Sequence, residues 1–407
     1  MNLFRKLYCR IYQGVFRLLL PVLPYRKPTL LADYGQLVAT LAAHKKSSVL
    51  VVTDKGICNL GLTNALETEL TQGGFKVTVY SGTDANPTTS NVEEALQAYY
   101  ANSCDCIVAF GGGSPMDCAK AVGARVACPK KSLSAMKGLL KVGRKIPLLV
   151  AIPTTAGTGS ETTLAAVITD IQTRHKYAIN DFNLIPRFAL LDERLTLNLP
   201  PHITAATGMD ALTHAVEAYI GRSTTKETRQ VALQAVKLIF DNLPVAYSDG
   251  HNLSARKNML NASYLAGLAF TKSYVGYVHA VAHSLGGKYN VQHGVVNAII
   301  LPRVLKVYGK SIYKKLWKLG VYAGLFSADT SVETGAKLFI DKIEQMNAAM
   351  GIGTAIDQIE IDDIADLAKT AAYEANPLYP VPVLLDAKQL EQIYYSLIEP
   401  NTSKSID

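Results

Sequence analysis

The chain has 407 residues, of which 49% are hydrophobic and 18% charged, with 17 prolines and 29 glycines. That length suits two or three domains and that balance excludes a disordered or collagen-like chain, while the lack of any run of about 18 apolar residues excludes a membrane-spanning helix. The formal net charge of +8 sits mostly at one end: residues 1–31 hold Arg5, Lys6, Arg10, Arg17, Arg26, Lys27 and no acid, so the body lacks the basic face that nucleic-acid binding requires.

Residues 1–31 form a basic N-terminal segment. On a helical wheel Asn2, Lys6, Arg10, Gln13 and Arg17 share one narrow face, and Leu3, Phe4, Leu7, Ile11, Val15 and Leu18 lie opposite. The pattern predicts an amphipathic helix ending at Pro21. Two readings stand side by side. Residues 2–20 make peripheral contact with a membrane surface, or the helix packs on its own domain or a second subunit with its cations solvated. Serine is missing from the segment, which argues against a transit peptide, and no clean apolar core with a cleavage site marks a secretory signal.

From residue 32 to about 200 the chain reads as an α/β domain. Strand-like runs at 47–53, 75–81, 104–110 and 146–152 alternate with helical patterns near 59–72, 91–102 and 115–127, and shorter strands follow at 165–170 and 187–192. This alternation implies βαβ units and a parallel sheet. Beyond Leu199-Pro200-Pro201 the periodicity is helical almost throughout, so 201–407 is expected as an all-helical domain. The six cysteines form no CxxC pair, which suits free thiols in a reducing cytoplasm rather than a disulfide framework.

Two loops carry candidate ligand chemistry. The run 104–110 leads into Gly111-Gly112-Gly113-Ser114-Pro115-Met116-Asp117, so bare backbone N–H groups stand at a helix start. Such a site fits a pyrophosphate, although a tight turn alone explains three glycines equally well. The run 146–152 leads into Thr154-Thr155-Ala156-Gly157-Thr158-Gly159-Ser160, a second small, hydroxyl-rich loop. Ligands of open α/β sheets bind at the carboxyl ends of the strands, and two such loops favour a dinucleotide. Asp54 follows the first strand, either as a ribose acceptor that favours NAD over NADP or as a helix cap.

In the helical half, Asp210 and His214 lie four apart, as do His279 and His283, with His293 ten residues beyond the latter. A carboxylate with several imidazoles suits divalent iron or zinc. Spacing alone pairs His279 with His283. His44, His175, His202 and His251 have no such company and read as surface or structural residues. Ala282-His283-Ser284-Leu285-Gly286 approaches a nucleophile elbow, but that motif needs a preceding strand and this stretch reads as helix.

Together GGGSPMD (111–117), PTTAGTGSE (153–161), TGMDALTHAVEAY (207–219) and HAVAHSLGGKYNVQHGVVNA (279–298) resemble the iron-containing, group III alcohol dehydrogenases, over residues 47 to 400. The resemblance implies a Rossmann-like α/β domain followed by an all-helical metal domain of the dehydroquinate-synthase-like architecture, with the active site in a cleft between them. It implies a homodimer or higher homo-oligomer, hydride transfer between a small alcohol or aldehyde and NAD, or NADP, and a bound Fe2+ or Zn2+.

Carried over by motif, the metal ligands fall on Asp210, His214, His279 and His293. His283 then stands beside substrate as a proton relay, and Phe270 walls the substrate pocket. The cofactor contacts fall on Asp54, Gly112, Gly113, Ser114, Thr154, Thr155, Thr158, Thr163 and Lys176, with Asp117 and Ser160 in the same motifs. Ala165 replaces an asparagine of some members, and Lys272 and Tyr274 are expected near the pocket. The usual N-terminal edge strand is not evident. A lyase of dehydroquinate-synthase type is the alternative, and it would need a more cationic phosphate pocket than the stretch 210–293 offers.

Overall fold

The computed structural model describes residues 1–172 and 176–398, so His175 and the residues from 399 onward lie outside the described residues. The chain divides into two compact units. One comprises residues 24–199 and the other joins 1–23 to 200–407. Helix α1 (Leu3–Leu19) therefore belongs with the helical unit, whereas residues 24–31 of the segment expected at 1–31 belong with the α/β unit.

Strand β1 (Thr29–Leu31) opens the α/β unit, followed by α2 (Tyr34–Ala43), β2 (Ser48–Val52), α3 (Lys55–Asn59), α4 (Asn64–Gln72), β3 (Lys76–Tyr80), α5 (Thr89–Ala101), β4 (Cys106–Gly111) and α6 (Gly113–Ala127). Then come β5 (Gly138–Leu139), β6 (Leu148–Pro153), β7 (Ala165–Thr169), β8 (Lys176–Asn180) and β9 (Phe188–Leu190). Six strands form a sheet in the order β1-β9-β6-β4-β2-β3, with every pairing parallel. Its central strands read SVLVV, CIVAFG and LLVAIP because both faces are covered, and a parallel sheet buried on both faces needs continuous apolar runs. Alternate residues serve the two faces. Val49, Val51 and Val108 meet Leu37 of α2 and Leu66 of α4, while Leu50, Ile107 and Ala151 meet Val92 of α5 and Met116 of α6.

Three details differ from the sequence expectation. The helix expected over 59–72 is two helices, because Gly61 takes a left-handed φ of 68° between α3 and α4. β7 does not join the main sheet: it pairs antiparallel with β8, and β5 completes a small three-stranded sheet. An edge strand is present, since Thr29, Leu30 and Leu31 register against Phe188, Ala189 and Leu190.

The helical unit contains α7 (Pro201–Ile220), α8 (Lys226–Ser248), α9 (Leu253–Ser273), α10 (Tyr277–Tyr289), α11 (His293–Tyr308), α12 (Tyr313–Ala323), α13 (Val332–Ala349), α14 (Ile364–Ala375) and α15 (Ala387–Tyr395). α7 is buried on nearly every side, from Thr204 to Ile220 apart from Thr207, so any polar residue on it must find a partner inside the unit. Among the described residues no helix is long and apolar enough to cross a membrane.

α1 packs with its polar side inward. Arg10 donates to the carbonyls of Val381 (2.7 Å) and Pro382 (2.8 Å), and Gln13 donates to those of Pro377 (3.1 Å) and Tyr379 (2.8 Å). Ser223 Oγ in turn donates to the Gln13 carbonyl, and the N-terminal ammonium meets Asp386. The expectation of a packed helix with its cations solvated is corrected for Arg10, which is the anchor.

Candidate functional site

In the α/β unit the candidate loops follow neighbouring strands. β2, β4 and β6 lie side by side, so Asp54, the Gly111–Ser114 turn and Thr154 stand at adjacent carboxyl ends. Gly111 pairs with Pro153 and holds a φ of 151° that an L side chain resists, and a Cβ there would strike Pro115 at 2.6 Å. Gly112 is the N-cap of α6 and no side chain caps that helix, so the first-turn N–H groups face outward at its positive end. Added Cβ atoms on Gly112 and Gly113 would sit 3.3 Å from Thr155 Oγ1 and 3.0 Å from Thr158 Cγ2. The two loops therefore interlock, and only glycine keeps the cradle open.

The remaining predicted cofactor residues divide. Asp54 Oδ1 accepts the Ile57 N–H at 2.9 Å and caps α3, so the cap reading is realised. Ser114 Oγ donates to the Ala85 carbonyl, and the Thr154 N–H donates to the Gly111 carbonyl at 3.0 Å. Lys176 Nζ donates to Asn86 at 2.9 Å, and burial lowers its pKa from the usual lysine value. Asp117, Ser160 and Thr163 turn instead toward one buried cation, Lys120. Its Nζ donates to Ser160 Oγ (2.9 Å), Thr163 Oγ1 (2.8 Å) and the Ala165 carbonyl (2.9 Å), while Ser160 donates onward to Asp117 (3.0 Å). Burial lowers Lys120 to about 8, against the pull of Asp117 and Glu161, and raises Glu161 to about 7.

In the helical unit α7, α10 and α11 bring the predicted metal-type residues together. Ligand atoms of Asp210, His279 and His293 lie within 4.8 Å of one another. His214, one turn after Asp210, stacks on His279 with ring centroids 4.4 Å apart, and its Nδ1 is 3.9 Å from Asp210 Oδ2. Gly294 allows this approach, because a Cβ there would collide with the Ala206 carbonyl on α7. Phe270 lies flat on His214 at 4.0 Å and an interplanar angle of 10°. Burial alone would raise the Asp210 carboxyl, but His214, His279 and His293 hold it below the usual carboxylate range.

The donor set fits a divalent cation. Asn297 Nδ2 reaches into the same space, 2.8 Å from Asp210 Oδ1, 3.0 Å from His293 Nε2 and 3.3 Å from His279 Nε2. The amide Nδ2 thus lies against one carboxylate oxygen and two ring nitrogens, while the Asn297 Oδ1 is buried without a partner among the described residues. One carboxylate and imidazole nitrogens converging within 4.8 Å of one another is a donor set that fits iron or zinc.

Glu217 had no sequence signal beyond lying two turns after Asp210. It accepts from His279 Nδ1 at 2.6 Å and from the N–H groups of Gly276 and Val278 at 2.8 Å, so it fixes the ring that meets Asp210. Burial opposes charge on His279, but its bonds to Asp210 and Glu217 push it up to about 9. His283, paired with His279 by spacing, is not among the converging ligand atoms: it is exposed, its ring stacks on His293 at 5.3 Å, and its Nδ1 bonds Glu374 at 2.6 Å, which also accepts from Tyr379. Asn297 and Glu374 were likewise missed, as was Lys120, whose one cue is a lysine in an otherwise apolar helix face. Lys272 pairs with Glu227 at 2.7 Å, and Tyr274 packs edge-on against Phe16 of α1. Ser284 lies inside α10, bonded to the Val281 carbonyl, which removes the nucleophile-elbow reading. His44, His202 and His251 are exposed, in keeping with their surface reading.

Comparison with known proteins matches residues 30–193 to the model described as iron-containing alcohol dehydrogenase and residues 204–398 to the C-terminal model of the same family. A 1,3-propanediol dehydrogenase of Citrobacter freundii is 36% identical over 93% of this chain and 98% of its own. An NAD-dependent methanol dehydrogenase of Bacillus methanolicus is 36% identical over 79% of this chain and 85% of its own. The crystal structure of a 1,3-propanediol oxidoreductase superposes with a TM-score of 0.88 at 32% identity, covering 92% of this chain and 98% of that one. A sulfoacetaldehyde reductase from Bifidobacterium kashiwanohense, solved in complex with NAD+, gives 0.81 at 27% identity over 93% and 99% of the two chains.

Proposed function

We propose, for a chain that belongs to the iron-containing alcohol dehydrogenase family of oxidoreductases acting on CH–OH donors, that it interconverts a small alcohol and its aldehyde with NAD and a divalent ion held by Asp210, His214, His279 and His293. The observation that carries the reading is the convergence of Asp210, His279 and His293 inside the helical unit. Iron(II) is the expected ion and zinc the alternative. When bound, such an ion supplies Lewis-acid polarisation of a substrate oxygen, and NAD supplies the hydride acceptor.

The chain's own residues do the rest. Glu217 accepts a hydrogen bond from the Nδ1–H of His279 and so turns Nε2 toward the site. Phe270, flat against His214, gives the substrate an apolar wall. His283, held through Nδ1 by Glu374, keeps Nε2 to pass the hydroxyl proton to solvent. In the α/β unit the uncapped start of α6 and the Gly112-Gly113 cradle bind the pyrophosphate, with Thr154, Thr155 and Thr158 on the facing loop. The second carboxylate oxygen of Asp54 accepts from the adenosine ribose and disfavours a 2′-phosphate, so NAD is preferred to NADP. Asp117, Ser160 and Thr163 support this surface through Lys120.

The six cysteines are free, which suits the cytoplasm, and the chain is expected to work as a homodimer or higher homo-oligomer, as light scattering would report. Assay of the iron- or zinc-loaded protein for NAD reduction across short alcohols and diols tests the reading. Turnover of at least one of them, with NAD favoured over NADP, is expected; binding of metal and NAD with no turnover of any alcohol or aldehyde would overturn it.

A further inference from the structure

We propose that α1 docks the protein onto an anionic lipid surface, lying flat in the interface with its apolar face toward the acyl chains. The helix is mounted the wrong way round for a surface helix of a globular protein. Such a helix normally turns its apolar stripe to the core and its charges to water. Here Cys9 and Gln13 are 1% and 3% exposed, whereas Phe4 is 84%, Leu18 79% and Ile11 57% exposed. At roughly 100° per residue, Phe4, Leu7, Ile11, Val15 and Leu18 fall on one side, opposite Gln13.

This orientation is fixed, not incidental. Arg10 and Gln13 together satisfy the carbonyls of Pro377, Tyr379, Val381 and Pro382, and Phe16 packs edge-on against Tyr274 at 5.1 Å. Rolling the helix over would turn Arg10 and Gln13 to solvent and leave those carbonyls against apolar side chains without a donor. The outcome is a concentrated patch. Ten of the 25 exposed large apolar side chains among the described residues lie in the first 22 positions. Contiguous patches of this kind mark an interaction surface.

Charge selects the occupant. Arg5, Lys6 and Arg17 are exposed along the flanks of α1, and no acid occurs in residues 1–31. A second copy of the same helix would bring like charges together with no acid to pair them, whereas anionic headgroups meet these cations while the acyl region takes the apolar side chains. The helix cannot span, so it lies on the surface.

Co-sedimentation of the full chain with vesicles tests the proposal, using neutral phosphatidylcholine with and without phosphatidylglycerol. Partition onto the anionic vesicles is expected, weakening as salt is raised. The double substitution Ile11→Glu with Leu18→Glu should lower it at least about tenfold, since two apolar side chains leave the interface. Both positions are solvent-exposed, so folding and NAD-linked turnover in solution should be unchanged; Arg5→Glu with Lys6→Glu should weaken anionic binding alone. No partition of the wild-type chain, equal partition onto neutral vesicles, or an apolar-face variant that binds as wild type would each overturn the proposal. So would an outcome in which the double variant changes only the oligomer size.

Discussion

Lys120 and Asp210 each centre a buried polar cluster, one in the α/β unit and one in the helical unit. Lys120 brings its own cation, and its three ammonium hydrogens find Ser160 Oγ, Thr163 Oγ1 and the Ala165 carbonyl. That cluster is closed and ties α6 to the loop 160–165. Asp210 is surrounded by the ring nitrogens of His214, His279 and His293 and the neutral amide of Asn297. A buried cluster that balances its own charge is architecture, whereas one that gathers a carboxylate and imidazole nitrogens at one point offers a donor set for an ion. Asp117 and Ser160 belong to a motif that resembles a cofactor site, yet their hydrogen bonds place them in the closed cluster.

That contrast predicts different failures. His279→Ala should remove the bound metal and lower turnover about a thousandfold or more, while NAD binding measured by fluorescence is retained. Retained turnover in a metal-free His279→Ala protein would erase the distinction. Lys120→Met should instead leave the metal in place and destabilise the α/β unit by about 3–5 kcal/mol in chemical denaturation, because Asp117, Ser160 and Thr163 lose their shared partner. A smaller loss would mean that the cluster relaxes or takes up water.

Glu161 sharpens the same point through pH. Burial raises it from 4.5 to about 7, so the folded chain holds a proton there that the unfolded chain releases. A raised carboxyl stabilises fully below 4.5, and its contribution is lost as pH rises through 7. Wild type should therefore lose on the order of 3 kcal/mol relative to Glu161→Gln between pH 4.5 and 8, read from paired unfolding curves. A pH-independent difference would contradict it. The smallest expected effect is at Glu217. Glu217→Gln should weaken metal affinity by about 10–100-fold in a chelator competition, since its amide would face the donors it now accepts from. Unchanged affinity would reduce Glu217 to a packing residue.

The parallel strands were legible because continuous apolar runs between helical patterns have few other readings, and the carboxyl-end loops followed from them. The small sheet was only half visible: AAVIT reads as a strand, but KYAIN, of the same length, has a polar residue at each end and does not announce its partner role. Long motifs carried Asp210, His214, His279 and His293. Spacing placed His283 with His279 on α10, but a shared helix face does not decide which nitrogen reaches Asp210, and His283 stacks on His293 with its Nδ1 held by Glu374, 91 residues away. Glu217, Asn297 and Lys120 act through tertiary hydrogen bonds that leave no local pattern. The amphipathic period of α1 was plain, whereas its inverted mounting depends on carbonyls at 377–382 that no wheel contains.

Elemental analysis of the iron-reconstituted full chain, beside His279→Ala prepared identically, tests the central claim most directly. The account predicts close to one divalent ion per wild-type chain, lost from the variant. An ion retained by the variant in equal amount, or none bound by the wild type, would contradict it.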